Sequence, residues 1–186
     1  VDFLVGGREC VSKRYYTGIF RNVDDTQKSK ELVKGQQKFL ANLENDAKQV
    51  AFSYVSQTEQ LGDGHAILQA KEAACQEPCL VLFGDDIVDS EVPCSQQLIN
   101  IYEKYQKPVI ALSRIQKEKL PLYGVVRVEK VADRLYKIKE IVEKPNIEEA
   151  PSDLAVVGKY VIDHQVFDFL ENSPSMAKDE IRLAGA

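Results

Sequence analysis

The segment Cys79-Leu-Val-Leu-Phe83 is an unbroken apolar run of strand length that stops on Gly84-Asp85-Asp86. A short apolar run without alternation fits a strand that is covered on both faces. A sheet holding such a strand needs helices on each side. The flanking sequence offers both kinds of element. Asp2-Phe-Leu-Val5 reads as a buried strand ended by Gly6-Gly7, and Val50–Val55 and Pro108–Leu112 read as two more. Residues 9–20 carry apolar and aromatic groups at helical spacing. Residues 26–46 are polar with Leu32, Phe39, Leu40 and Leu43 as an apolar stripe, which predicts one or two surface helices broken near Gly35. A turn at Leu61–Gly64 opens a helix from His65 to about Ala74, and another helix runs from Cys94 or Ser95 to Tyr105 with Ser95 as its N-cap. Alternation of this kind predicts an α/β fold with a largely parallel sheet.

Beyond residue 112 the pattern changes. Tyr123–Glu129 and Arg134–Val142 read as a hairpin turning near Ala132-Asp133. Leu154–Ile162 is a third strand and His164–Glu171 a short helix. The expected organisation is one domain over 1–186, with an α/β part in 1–112 and a more β-rich part in 113–186.

Bulk properties exclude several partners. The net charge is −5, with 28% charged and 44% hydrophobic residues. A mildly acidic chain of ordinary composition does not attract nucleic acid or anionic lipid by its overall field. No apolar run has the length of a membrane span, and Val1–Val5 lacks the basic flank of a secretory leader, so a cytoplasmic location is expected. Cys75 and Cys79, four apart, with only two histidines in the chain, make a poor zinc site; reduced thiols are expected for all four cysteines.

In open α/β sheets ligands bind beyond the carboxyl ends of strands. Three polar segments occupy predicted strand ends. Gln57-Thr-Glu-Gln-Leu-Gly-Asp-Gly-His-Ala66 leaves one strand and opens a helix. Its glycines permit close backbone approach, and Gln57 carries a donor and an acceptor, which is what reading a base edge requires. A plain tight turn is the alternative, and His65 fits a pairing with backbone as well as a ligand contact. Gly84-Asp85-Asp86 sets two carboxylates side by side, suited to Mg²⁺ with substrate phosphates or to a solvated turn. Val142-Glu143-Lys144-Pro145 joins an acid able to accept from sugar hydroxyls to an ammonium able to pair with phosphate. Pro145 biases Lys144 to extended backbone, and a surface tripeptide is the competing reading.

Order and placement together are more specific than any one segment. Gln57…Gly62-Asp-Gly-His-Ala66, Leu82-Phe-Gly-Asp-Asp-Ile-Val88, Tyr123-Gly124, Val142–Pro145, Ala150-Pro-Ser-Asp-Leu-Ala-Val-Val-Gly-Lys-Tyr160 and Glu180-Ile occur in series. The series resembles the bacterial UTP–glucose-1-phosphate uridylyltransferases, within the sugar-1-phosphate nucleotidylyltransferase family. The glycine segment is also similar to the uridylyltransferases of N-acetylglucosamine. The resemblance implies a Rossmann-like, glycosyltransferase-A-like nucleotidyltransferase sheet with a β-rich sugar-binding part. It implies Mg²⁺-dependent attack of glucose 1-phosphate on the α-phosphorus of UTP, giving UDP-glucose and pyrophosphate without a covalent intermediate. Carried onto this chain, it assigns Gln57, Gly62, Gly64, His65 and Asp86 to the nucleotide, Asp85 to the metal and Lys144 to the phosphate. Gly124, Glu143 and Glu180 fall to the sugar. Thymidylyl- or guanylyl-transferring relatives, or a non-catalytic nucleotide-sugar-binding or assembly fragment, are the rival readings, and a homo-oligomer is open.

The departures are informative. The family's opening strand and its Gly-rich loop with Arg and Lys have no match in residues 1–186, and a second metal-binding Asp is expected further on. Asp63 stands where the family has an apolar residue. The chain is therefore expected to be incomplete at both ends and inactive by itself.

Overall fold

The computed structural model of the protein describes residues 2–6, 15–19, 52–172 and 181–183. The helices expected in 26–46 lie outside them. Among the described residues three short strands come first: β1 (Asp2–Gly6), β2 (Tyr15–Ile19) and β3 (Phe52–Ser56). Helices α1 (Asp63–Leu68) and α2 (Lys71–Ala74) lead to β4 (Cys79–Phe83). Helix α3 (Cys94–Tyr105) leads to β5 (Val109–Arg114), and a 3-10 helix covers Lys117–Leu122. The hairpin of β6 (Gly124–Ala132) and β7 (Leu135–Glu143) follows, then β8 (Leu154–Ile162) and α4 (His164–Glu171).

The strands form an eight-stranded sheet in the order β3-β1-β2-β4-β8-β6-β7, with β5 on the other edge of β8. The expectation of a mostly parallel sheet is corrected here. Only β2 and β4 pair in parallel; every other pairing among the described residues is antiparallel. The strand–helix alternation was nevertheless a sound guide to direction. Strands β4 and β5 are both antiparallel to β8, so they point the same way across helix α3, as a βαβ unit requires. Strand β8 comes from far along the sequence and wedges between them. An apolar run signals cover on both faces, not the direction of its neighbours.

Strand β4 is covered on both faces. Cys79, Val81, Tyr160 and Ile162 face α1 and α4, where Ile67, Phe167 and Leu170 meet them. Leu80 and Val161 face α3 through Leu98. The alternation of residues 79–81 between these two layers is the period of two of a strand.

Local chemistry sets most boundaries. Asp163 caps α4, its carboxylate accepting from the Gln165 amide at 3.0 Å. Helix α3 ends on Gln106, which takes the left-handed conformation at φ 50. Arg134, at φ 56, makes the β6–β7 turn. Two local expectations fail. Tyr15–Ile19 is a strand and not part of a helix, because aromatic and β-branched residues accept extended backbone and strand pairing overrides a short periodic pattern. Ser95 does not cap α3; Pro93 holds that position without a side-chain bond. Pro suits a helix start because a missing N–H costs nothing there.

Gly158 lets β8 pass close to Phe83. A Cβ at residue 158 would lie 2.6 Å from Phe83 Cβ and 2.7 Å from its Cγ. Gly158→Ala is therefore expected to destabilise the protein by about 1–3 kcal/mol through overpacking. Chemical denaturation measures it, and an unchanged midpoint would show that Phe83 yields freely.

Candidate active site

One edge of β8 is shared by two strands. Its carboxyl half pairs with β4 as far as Leu82 opposite Lys159, while Ala155 pairs with Val125 of β6. The edge between, at residues 156–158, is where β4 has ended and β6 has just begun. The Gly84–Asp86 loop closes this gap. The Asp86 carboxylate accepts from the Gly158 amide at 2.8 Å. The Lys159 ammonium, on a residue 7% exposed, donates to the carbonyls of Phe83 at 3.0 Å, Gly158 at 3.3 Å and Asp86. Asp86 is thus held inward as a strut of its own loop. Asp85 is exposed, and its carboxylate takes no hydrogen bond or ion pair among the described residues.

The same gap is bordered by the start of β6 and the end of β7. Gly124 pairs with Glu143 in register. A side chain at residue 124 would meet Glu143 Oε2 at 3.0 Å, so glycine leaves the carboxylate room. Glu143 Oε1 pairs with the Arg182 guanidinium at 3.0 Å. Lys144 departs from the extended backbone expected before proline. It sits at φ 46, its amide donating to Tyr123 O at 3.0 Å, with Pro145 buried behind it. A left-handed non-glycine residue costs about 1–3 kcal/mol and persists where the surroundings dictate it. Its ammonium is exposed, without an ion-pair partner among the described residues.

The glycine turn is built differently from the sequence expectation. Gly62 has φ 96, a conformation that favours glycine. Gly64 is buried. Its amide donates to Ile181 O at 2.9 Å, and an added Cβ would meet Leu170 and Ile181 at 2.9–3.0 Å. Its assigned nucleotide role thus has no backbone donor behind it; the residue is glycine because residues 181–183 pack on it. The Ile181 amide returns a bond to Leu61 O at 2.7 Å, and Asp63 Oδ1 accepts from Leu183 N at 3.1 Å. The unusual Asp63 therefore ties down the 181–183 segment. Gln57 Nε2 donates to Gly62 O at 3.0 Å and lies 3.0 Å from His65 Nδ1. His65 is held between Gln57 and Gln69, whose Nε2 is 3.2 Å from its other ring nitrogen. The amide nitrogen of Gln57 is turned to Gly62 and His65, and its carbonyl oxygen takes no partner among the described residues.

Tyr160 ties these segments together. Its hydroxyl titrates well above the ordinary tyrosine value, first because it is buried, then because the carboxylates of Asp63, Glu143 and Asp86 act on it. One buried phenol thus feels an acid from the glycine turn, one from the hairpin end and one from the β4 loop. Cys94 is also raised by burial, with the Lys159 ammonium opposing and Asp86 adding to the shift. Glu180 lies outside the described residues. Lys159, Tyr160 and Arg182 were not singled out from sequence. A lysine inside the apolar strand Leu154–Ile162 was the available signal for the first, since a charge there needs partners.

Residues 13–184 match the family model described as nucleotidyl transferase. Over 165 residues the chain is 38% identical to the UTP–glucose-1-phosphate uridylyltransferase of Staphylococcus haemolyticus, covering 87% of this chain and 57% of that protein. A UDP-glucose pyrophosphorylase solved in complex with UDP-glucose superposes with a TM-score of 0.78 at 31% identity, over 91% of this chain and 65% of that one. The apo form of a UDP-glucose pyrophosphorylase gives 0.73 at 30% identity, over 91% and 66%. The chain spans 57% of the length of the staphylococcal relative. The family match encloses the glycine turn, the β4 loop and the hairpin end alike, and the chain belongs to the nucleotidyl transferase family.

Proposed function

We propose that the chain forms the core of an enzyme that transfers a uridylyl group from UTP to glucose 1-phosphate, giving UDP-glucose and pyrophosphate. The observation that carries this reading is the convergence on one stretch of β8: the loop bearing Asp85 and the strand pair bearing Gly124 and Glu143 flank the same gap. The relatives' names supply the substrates, and the arrangement of side chains suits them.

Gln57 offers an acceptor to the base, because its amide nitrogen is turned to Gly62 and His65 and its carbonyl oxygen has no partner among the described residues. An acceptor suits uracil, whose ring N3–H donates, and disfavours cytosine, whose N3 does not. Glu143 would accept from sugar hydroxyls, with Arg182 keeping it oriented. Lys144 would pair with the phosphate of the incoming sugar, its ammonium set at the rim by the left-handed backbone.

An exposed, unpaired carboxylate at a strand end fits Mg²⁺ in the manner in which that ion takes one protein oxygen and several from phosphates. No group of three or more candidate ligands occurs among the described residues, so Asp85 is its one assigned protein ligand here. When bound, the ion neutralises charge on the triphosphate. The chain's own residues bind and align. An oxygen of the sugar phosphate forms the new bond to the α-phosphorus as the bond to the β-phosphate oxygen breaks, and pyrophosphate carries away the electron pair. No proton relay is needed. The protein's contribution is orientation and fixed charge. The expected cytoplasmic location and any self-association belong to the same proposal.

In the protein as the cell makes it, Asp85→Ala should lower pyrophosphate release by roughly a thousandfold, the scale on which preorganised charge acts. Near-normal turnover would remove Asp85 from the metal role. Glu143→Gln should raise KM for glucose 1-phosphate by about tenfold while leaving UTP affinity within about twofold, the pattern of a lost substrate contact. Equal effects on both substrates would count against its assignment. Titration calorimetry of the chain with UDP-glucose separates a nucleotide-sugar site from a fragment used only in assembly, which would give no heat of binding.

A further inference from the structure

Lys159 is a buried cation within an apolar strand, with nothing acidic bonded to its ammonium among the described residues. Its three hydrogens go to three backbone carbonyls: the last residue of β4, the second aspartate of the loop, and its own neighbour in β8. Two of those carbonyls stand on either side of Gly84-Asp85. The Asp86 carboxylate adds a fourth tie, from the loop to the Gly158 amide. The loop is thereby held to β8 at both ends, and Asp85 is the member left facing outward.

What marks this lysine is where its donors go: two of the three reach the carbonyls that flank Gly84-Asp85, and the third stays within β8. On the reading that Asp85 holds the divalent cation, we propose that Lys159 is a positioning residue for that site. Its ammonium gathers the carbonyls of the β4 loop and so fixes the direction in which the Asp85 carboxylate projects. It also turns those carbonyl oxygens away from the rim, so that the carboxylate is the oxygen the loop presents. Lys159 itself touches neither cation nor substrate in this role. The interaction is charge-assisted and geometric: a guanidinium can replace it, whereas an apolar chain of similar length cannot.

The test is Mn²⁺ binding in the presence of UTP, followed by the loss of the free-ion electron paramagnetic resonance signal. Lys159→Met should weaken Mn²⁺ retention by about tenfold or more, the usual effect of removing a residue that orients a metal ligand. Lys159→Arg should return it to within about threefold of the parent, since the donors and the charge are kept. Melting temperature and metal-free UTP binding should stay at parental values in both. Parental Mn²⁺ affinity in Lys159→Met overturns the inference. Should Lys159→Met melt early, Lys159→Gln is read in its place; it keeps two donors on a stem too short to reach all three carbonyls, and parental affinity there likewise overturns it. Asp85→Ala separates the two levels. If it retains Mn²⁺, the metal reading itself fails; if it loses Mn²⁺ while the Lys159 variants keep it, only the role given to Lys159 fails.

Discussion

The edge of β8 that β4 leaves and β6 has not yet taken is the constraint on which the site rests. A sheet edge with unpaired amides and carbonyls inside a packed structure is costly, because buried backbone groups need partners. This protein resolves it with a loop instead of a strand. Asp86 supplies the acceptor for the Gly158 amide, and Lys159 gathers the loose carbonyls. Burying an ammonium costs on the order of several kcal/mol, and it is tolerated only where its hydrogens are all engaged. The expense goes into holding a two-aspartate loop at the carboxyl end of a central strand, with Asp85 exposed.

A second link joins the glycine turn to the hairpin end. Residues 181–183 exchange backbone bonds with Leu61 and Gly64, take the Asp63 carboxylate at Leu183, and send Arg182 to Glu143. Two segments far apart in sequence, the glycine turn and the hairpin end, thus meet on one short stretch of chain. Asp63 and Glu143, one from each, act on the buried hydroxyl of Tyr160, together with Asp86 of the β4 loop. This arrangement of charge belongs to the folded framework itself, which is the preorganisation that the proposed transfer at phosphorus would ask of it.

Roles that look alike in the sequence separate once partners are visible. Asp85 and Asp86 are adjacent and chemically identical, yet one braces the loop and the other is exposed. Gly62 and Gly64 stand two apart, yet the first serves a positive φ and the second makes room for Ile181 and Leu170. Gln57, with a donor and an acceptor of equal standing in the sequence, has its donor engaged within the turn.

The amino-acid order alone determined the elements that matter. The limits of β4, β8 and α4 follow from apolar runs and their polar stops, and the three polar segments at strand ends were visible as such. It determined the relative direction of β4 and β5, because a helix of that length between two strands returns the chain to the same end. It did not determine which strand lies between them. Long-range pairing depends on which edges are left open after the whole chain has folded, and no local pattern in Leu154–Ile162 records that β8 will run antiparallel to both. Nor did Lys144 before Pro145 announce its left-handed backbone; the bond from its amide to Tyr123 and the burial of Pro145 impose it. Tertiary structure alone decided which aspartate is a strut, which glycine is a joint, and that a lysine in an apolar strand would hold the loop between them.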